Sequence, residues 1–143
     1  MKYLSLEQVN RILPENAVID LSIKHLYRIV YTTVSGTYLP VATSKVTEVN
    51  RKSKIVYNTV TDFYISLGCK YVCFIVGTKG IILLPIDILK RYNNFSGWKA
   101  ETKKGRQYWI RGNVEEKSII FTNSIDYSEN VDVTPYFIPY TEE

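Results

Sequence analysis

The sequence predicts an α+β protein, in which a mainly antiparallel sheet or partly open pseudobarrel is accompanied by two or three short helices. Hairpin patterns dominate, because segments rich in β-branched and aromatic residues follow one another across short glycine-containing turns. Helical patterns are short and isolated, without the regular strand–helix alternation of a doubly wound sheet. The length of 143 residues is typical of one domain, and we expect residues 1–143 to form a single domain.

The first predicted element is a short helix that begins after Ser5 and ends at Pro14. Ser5 is a favourable N-cap, and Gln8 three residues later completes the capping-box pattern. The apolar residues of this segment fall on one helical face: Leu6, Val9, Ile12 and Leu13. Proline ends the helix because it disfavours helical backbone in the residue before it.

Two strands and a helix follow, with an ambiguous stretch between them. Residues 26–34 are β-branched and aromatic, which predicts a strand, and residues 37–41 return from a turn at Ser35–Gly36 as its hairpin partner. Residues 43–54 fit either an amphipathic helix or an alternating strand. Residues 59–67 have a helical pattern that a glycine ends.

A central hairpin is predicted over residues 70–84. Its two arms, residues 70–76 and 81–84, are apolar at consecutive positions, and the turn between them contains two glycines. Strands with this pattern are buried on both faces, so we expect the hairpin at the centre of the core. Pro85 then suits the first turn of a helix that runs to Arg91.

The remaining third of the chain is predicted to be β. Residues 98–103 and 106–111 form a second hairpin around a turn at Lys104–Gly105. Shorter strands are expected at residues 118–122 and 131–133. No internal repeat or linker interrupts this order of elements.

Composition indicates a cytoplasmic protein that does not enter membranes. No apolar run approaches the roughly 20 residues that span a bilayer, and the N-terminal residues become acidic too early for a signal peptide.

The only cysteines, Cys69 and Cys73, do not have the spacing of a zinc ribbon or a redox pair. Cys73 lies within the apolar run, where a buried and unreactive thiol is expected. We therefore expect neither a disulfide nor a metal site.

Catalytic motifs are missing from the sequence. It contains no nucleophile elbow, P-loop, dinucleotide fingerprint or zinc-protease motif, so no catalytic residue and no cofactor is predicted. The single histidine, His25, is more typical of a structural or solvent-facing residue than of a base. One nuclease-like arrangement stays open as an alternative. Glu101 and Lys103 on a strand, with Asp87 upstream, resemble the acids and lysine that hold Mg²⁺ and orient water in metal-dependent nucleases.

Charge is distributed unevenly along the chain, whose net charge is +4. Residues 1–111 contain 17 lysines and arginines and 7 acids, a net of +10, whereas residues 112–143 contain one lysine and 7 acids, a net of −6. The local potential, rather than the total charge, determines attraction to a polyanion. The basic segments of this chain are therefore candidates for nucleic-acid binding.

The second hairpin combines cations with aromatic rings. Cations can neutralise phosphates, rings can stack on bases, and a two-stranded ribbon fits a major groove. The basic stretch at residues 51–54 adds further cations, although the sequence does not show whether it lies near the hairpin. Together the two segments supply the predicted nucleic-acid-binding residues: Arg51, Lys52, Lys54, Trp98, Lys99, Lys103, Lys104, Arg106, Tyr108, Trp109 and Arg111.

Strand alternation divides the aromatic residues of this hairpin between two faces. Trp98 is expected on the face of Ala100, and Tyr108 is expected on the face opposite Trp109. The alternative interpretation is a surface hairpin whose lysines keep an edge strand soluble while one tryptophan packs inward.

A longer pattern covers roughly residues 70–137. It consists of an apolar strand, a glycine turn, a second apolar strand, a proline and a helix, followed by the Trp- and Tyr-rich hairpin and the ending Val131–Phe137. This pattern resembles the small DNA-reading domains attached to restriction enzymes, including the variable N-terminal domains of McrBC-type modification-dependent systems. The resemblance implies a pseudobarrel or PUA-like fold and a DNA partner, with or without base modification. It also implies that the chain works with further domains or subunits of a larger restriction complex.

Three functional hypotheses follow. The leading one is a DNA-binding specificity domain of a restriction or modification-dependent defence system, in which cations contact phosphates and aromatic residues contact bases. The second is a protein-interaction or regulatory module with a tyrosine-rich face, because Tyr, Trp and Arg are also enriched at protein interfaces. The third is the small Mg²⁺-dependent nuclease.

Overall fold

Two open β-sheets and three α-helices make up the part of the chain that the computed structural model describes. The described residues are 3–25, 29–44, 47–49, 52–93, 98–102, 105–115, 118–122 and 130–141. The helices are α1 (Leu6–Ile12), α2 (Thr61–Ser66) and α3 (Ile86–Asn93), and short 3-10 helices lie at Glu15–Ala17 and Thr134–Tyr136. The strands, in chain order, are β1 (Val30–Thr32), β2 (Tyr38–Ser44), β3 (Thr47–Val49), β4 (Lys52–Thr59), β5 (Tyr71–Val76), β6 (Gly80–Pro85), β7 (Trp98–Thr102), β8 (Gly105–Glu115), β9 (Ser118–Thr122), β10 (Asn130–Asp132) and β11 (Phe137–Pro139).

The sheets have different strand orders but a common antiparallel character. The first sheet has the order β1-β2-β5-β6-β11, and the second has the order β10-β9-β8-β4-β3, with β7 also paired to β8. Within the described residues every strand pair is antiparallel except β2 with β5, which run parallel. A parallel pair needs a long connection, and here β3, β4 and α2 lie between its two strands in the chain. The α+β class predicted from the sequence is confirmed.

The first sheet is buried on both faces at its centre. Residues 72–76 of β5 and 80–84 of β6 are all buried. Alternate residues belong to two clusters: Phe74 packs with residues of the second sheet, α2 and α3, whereas Ile75 packs with residues of α1. The predicted central hairpin is thus confirmed, and its burial on both faces explains why its arms are apolar at consecutive positions.

Three aromatic rings join the two sheets. Tyr57 of β4 and Phe121 of β9 meet Phe74 of β5 edge to face, with ring centroids 4.8 Å and 5.5 Å from that of Phe74. The Tyr57 hydroxyl donates a hydrogen bond of 2.8 Å to the carbonyl oxygen of Ile75. Burial raises the pKa of Tyr57, so the hydroxyl keeps its proton and remains a donor. Both the ring and the hydroxyl of Tyr57 therefore find partners inside the core.

The N-terminal segment covers the face of the first sheet that is remote from the second. The predicted capping box is present: the Gln8 N–H donates to Ser5 Oγ at 3.2 Å, and the Ser5 N–H donates to Gln8 Oε1 at 2.9 Å. Further along, Ile19 pairs with Thr33 beside β1. The Asn10 amide then bonds both the N–H and the carbonyl of Ile19, at 2.9 Å each. Asn10 therefore occupies the hydrogen-bonding positions that another strand would take.

The last strand, β11, is an element that the sequence pattern does not predict. It contains only three residues, one of them Pro139, and it pairs with β6 at an edge of the first sheet. Proline is tolerated at a sheet edge because its missing N–H leaves no internal bond unmade. Gly80 lies against this strand, and a Cβ at that position would meet the Ile138 carbonyl oxygen and the Phe137 ring. The close approach of β11 to β6 thus requires glycine at position 80.

Several element boundaries differ from the prediction. The ambiguous residues 43–54 are β wherever they are described, since they belong to β2, β3 and β4. The strand predicted over residues 26–34 is observed only as β1, and residues 26–28 lie outside the described part of the chain. Pro85 ends β6 instead of beginning a helix, so α3 starts one residue later and extends to Asn93.

Helix α2 ends before a glycine, as predicted, and the two cysteines follow it. Gly68 has a φ of 73°, in the left-handed region that favours glycine at a helix end. Cys69 and Cys73 are buried free thiols, and burial raises their pKa values to about 11 and about 12. Both thiols are therefore protonated at neutral pH, and the expectation of a buried thiol at Cys73 is confirmed.

No helix in the described ranges has the length and apolar character needed to cross a bilayer.

Ile75→Ala or Ile82→Ala is expected to lower the free energy of unfolding by about 2–5 kcal/mol, because each removes buried methyl groups and leaves a cavity. Both residues are almost completely buried, whereas Ile65 on α2 is 38% exposed. The control Ile65→Ala should lower stability clearly less than either core substitution, because less buried surface is lost. Urea unfolding monitored by circular dichroism measures all three variants. Equal effects at the central and control positions would mean that the core lies elsewhere.

Candidate nucleic-acid interface

The predicted basic hairpin consists of β7 and the first part of β8. β7 pairs with residues 105–108 of β8, whereas β4 pairs with residues 108–114 and β9 with residues 111–115. Residues 100–102 of β7 and 105–107 of β8 therefore extend past both neighbouring strands as a two-stranded ribbon. With a strand rise of about 3.4 Å per residue, these three residue pairs give the ribbon a length of roughly 10 Å.

The second basic stretch lies in the same sheet, on the strand next to β8. Lys52 and Lys54 belong to β4, and Lys54 is opposite Asn113. Arg51 lies outside the described residues. Gly105 is the first residue of β8, and Asn113 is near the other end of that strand. At the usual strand rise the two residues are roughly 27 Å apart. One sheet thus carries both predicted basic stretches, at opposite ends of its central strand.

Burial identifies the face of the second sheet that is turned to the core. Ile55, Tyr57 and Thr59 occupy alternate positions of β4, and all three are buried. Residues that are directly opposite in an antiparallel pair share a face, and the next residue along belongs to the other face. We call the positions of β4 and β8 on the face away from the core the outer face; its predicted binding residues are Lys52, Lys54, Trp109 and Arg111.

The pairing of β7 with β8 contains a register shift. Trp98 is opposite Tyr108, but Ala100 is opposite Gln107, so Lys99 is an extra residue between the two pairs. Such an insertion is a β-bulge, and it interrupts simple alternation. The prediction that Trp98 and Ala100 share a face is therefore wrong. Trp98 has the register of Tyr108 on the core face, and Ala100 has the register of Gln107 on the other.

The outer side of the second sheet carries both cationic and acidic positions. Its cationic positions Lys52, Lys54 and Arg111 are on β4 and β8, whereas exposed Asp132 is on the edge strand β10. Hydrogen bonds from the side chain and the N–H of Thr134 hold the pKa of Asp132 below its usual value, so this carboxylate is charged at neutral pH. The cationic positions of the outer side therefore lie on β4 and β8, with Glu115 also on β8 and Asp132 at the β10 edge.

The residues of the nuclease alternative lie on separate elements. Glu101 of β7 is opposite Arg106 of β8, and Asp87 lies in the first turn of α3. Lys103 and Lys104 fall outside the described residues. Among the residues that the structure does describe, no group of three or more His, Cys, Asp or Glu side chains is placed to hold a metal ion. Opposite charges across two strands stabilise a sheet, which provides a structural role for Glu101.

Strand register also adds residues that the sequence analysis did not single out. Asn58 is opposite Trp109, and Asn113 is opposite Lys54. Amide side chains can donate to and accept from base edges, so these positions suit the same interface. No pattern in the single sequence marks them, because their place depends on the pairing of strands that are far apart in the chain.

Glu101→Ala is expected to leave DNA binding at or above the parental level, because the substitution removes a negative charge opposite Arg106. Fluorescence anisotropy with a labelled duplex measures binding, and incubation of DNA with Mg²⁺ tests cleavage. If the parent protein cleaved DNA and a correctly folded Glu101→Ala variant did not, the nuclease hypothesis would replace the binding hypothesis.

No family model matches the chain, and neither a curated protein nor a solved structure is significantly similar to it. The resemblance to McrBC-type DNA-reading domains therefore stays a prediction. The function has to be inferred from the second sheet itself.

Proposed function

We propose that this chain is a DNA-binding specificity domain of a restriction or modification-dependent defence system. Its binding surface comprises the β7–β8 ribbon and the outer face. Cations on this surface contact phosphates, which supplies affinity without sequence information. Trp109 and the neighbouring amide positions contact bases, which supplies sequence or modification preference.

The observation that supports this proposal is the pairing of β4 with β8. It brings Lys52 and Lys54 into the sheet that contains Arg106 and Arg111, although these residues are far apart in the sequence. A duplex presents phosphates continuously along its two strands, so cations spread over roughly 27 Å of one sheet can contact several of them at once.

The dimensions of the ribbon indicate how bases are reached. The five strands of the main path are about 19 Å across at a spacing of about 4.8 Å, which exceeds the roughly 12 Å width of a major groove. A two-stranded ribbon is narrow enough to enter that groove. The ribbon therefore inserts into the groove while the wider part of the sheet stays outside and contacts the backbone.

Replacing Lys103, Lys104 and Arg106 together with alanine is expected to weaken binding to every duplex by a similar factor. In the sequence Lys103 and Lys104 stand between β7 and β8, and Arg106 is the second residue of β8. Phosphate contacts carry no sequence information. The salt dependence of log K should flatten by about one unit of slope for each lost phosphate contact. Anisotropy titrations at several salt concentrations measure both effects.

A matched control removes three exposed cations from other parts of the molecule: Lys24, Lys79 and Lys90. It lowers the net charge by the same amount, so it separates a localised interface from general attraction to DNA. The control should retain most of the parental affinity and salt slope. If the ribbon variant binds as the parent does, the ribbon is only a soluble edge and the protein-interaction hypothesis moves ahead.

Trp109→Ala is expected to change the preference among DNA sequences or between modified and unmodified bases, because its position is on the outer face beside Asn58. Trp98→Ala is the matched control, since Trp98 has the register of the core face. Binding to a panel of matched duplexes with and without base modification distinguishes the two variants. A uniform loss of affinity for all duplexes in Trp109→Ala would exclude a base contact at this position.

A further inference from the structure

A separate pocket lies in the first sheet, away from the proposed DNA-binding surface. Its volume is about 230 Å³, and it is bounded by the 3-10 helix at Glu15–Ala17, the turn between β1 and β2, and the start of β5. Its polar lining is Asn16, Thr33, Ser35, Thr37 and Lys70, and apolar surface is available on the half-buried rings of Tyr38 and Tyr71. Pockets for drug-sized ligands are usually about 300–1,000 Å³, so this one suits a smaller molecule.

Three hydroxyl groups form a connected cluster at the polar end of the pocket. Thr33 Oγ1 is 2.9 Å from Ser35 Oγ and 2.7 Å from Thr37 Oγ1, and Thr33 is only 3% exposed. The Ser35 hydroxyl also donates to the carbonyl oxygen of Asn16 at 3.1 Å, which ties the turn to the 3-10 helix. The cluster is therefore held in place by backbone groups on both sides.

The hydroxyl groups of this cluster can supply a donor to a ligand. The Thr37 N–H donates to Thr33 Oγ1 at 3.1 Å. At the 2.7 Å contact between Thr33 Oγ1 and Thr37 Oγ1 either oxygen can donate. When Thr33 donates there, the Thr37 hydrogen is available to a ligand oxygen, because a hydroxyl hydrogen rotates freely.

The charge of the lining residues selects the kind of ligand. Lys70 is exposed and carries an ammonium group, and none of the nine lining residues is an aspartate or glutamate. An ammonium and a rotatable hydroxyl donor both favour an oxygen that bears negative charge. The rings of Tyr38 and Tyr71 leave apolar surface for a small carbon skeleton beside the anionic group.

We propose that this pocket binds a small organic anion through a carboxylate or phosphate group. The anionic oxygens accept hydrogen bonds from the Lys70 ammonium and the Thr37 hydroxyl, and the carbon skeleton packs against Tyr38 and Tyr71. The site lies on a different sheet from the β7–β8 ribbon, so it does not depend on DNA binding by the protein.

Titration with benzoate and with phenyl phosphate, at constant ionic strength and monitored by amide NMR shifts, tests the proposal. One or both should cause saturable shifts at residues 35–37 and 70–71, with a Kd on the order of 1 mM. Whichever anion binds more tightly identifies the natural head group as carboxylate or phosphate. Benzamide has a similar ring without the charge and should bind about tenfold more weakly than benzoate, because a charge-assisted hydrogen bond is lost.

Variants at the two ends of β5 provide the matched control. Lys70→Gln should weaken anion binding about tenfold, whereas Lys79→Gln, which removes another exposed lysine from the turn after β5, should not change it. Thr37→Val should weaken binding as well if the variant remains folded. The proposal is wrong if neither anion gives saturable shifts at the pocket, or if the two lysine variants weaken binding equally.

Discussion

The contact among Tyr57, Phe74 and Phe121 holds the two sheets together, and the positions of the surface residues depend on it. Each edge-to-face pair of rings contributes about 0.5–1.5 kcal/mol beyond the area it buries. The hydrogen bond from Tyr57 to the Ile75 carbonyl adds about 1 kcal/mol and has a direction, which ring packing alone lacks. A tyrosine with a deprotonated hydroxyl could not donate this bond, so the raised pKa and the bond support each other.

This contact also determines the register of the second sheet. The Tyr57 ring and hydroxyl have their partners only when β4 turns Ile55, Tyr57 and Thr59 to the core, and a slip of one residue would exchange the two faces. Because the strands are paired, the register of β4 determines which residues of β8 face the core, and β8 in turn determines this for β9 and β7. The position of Trp109 on the outer face is therefore a consequence of packing on the opposite side of the sheet.

Local patterns in the sequence were sufficient for part of this fold. The capping box at Ser5 depends on neighbouring residues, and the central hairpin depends on a continuous apolar run, so both could be predicted. The parallel pairing of β2 with β5 and the addition of β11 depend on contacts between distant segments, which a single sequence does not encode locally. The bulge at Lys99 escaped prediction for a similar reason, because it is defined by a partner strand.

The same limit applies to the two candidate sites. Cations and aromatic residues stand out in the composition of a segment, so the basic hairpin was visible, whereas its relation to Lys52 and Lys54 required the pairing of β4 with β8. The hydroxyl cluster was not visible, because threonine and serine near a turn are ordinary in a sequence. Only the position of Lys70 beside Thr33 and Thr37 in three dimensions distinguishes it.

The hydrogen bonds of the Asn10 amide bear on whether molecules of this protein can associate through their sheet edges. An exposed sheet edge is a template on which a strand of another molecule can add, and repeated addition leads to fibrous aggregates. At Ile19 the backbone groups that would accept such a strand are already bonded to Asn10, and at the opposite edge Pro139 has no N–H to offer. At this edge of the first sheet, protection against strand addition thus depends on one side chain of a seven-residue helix, α1.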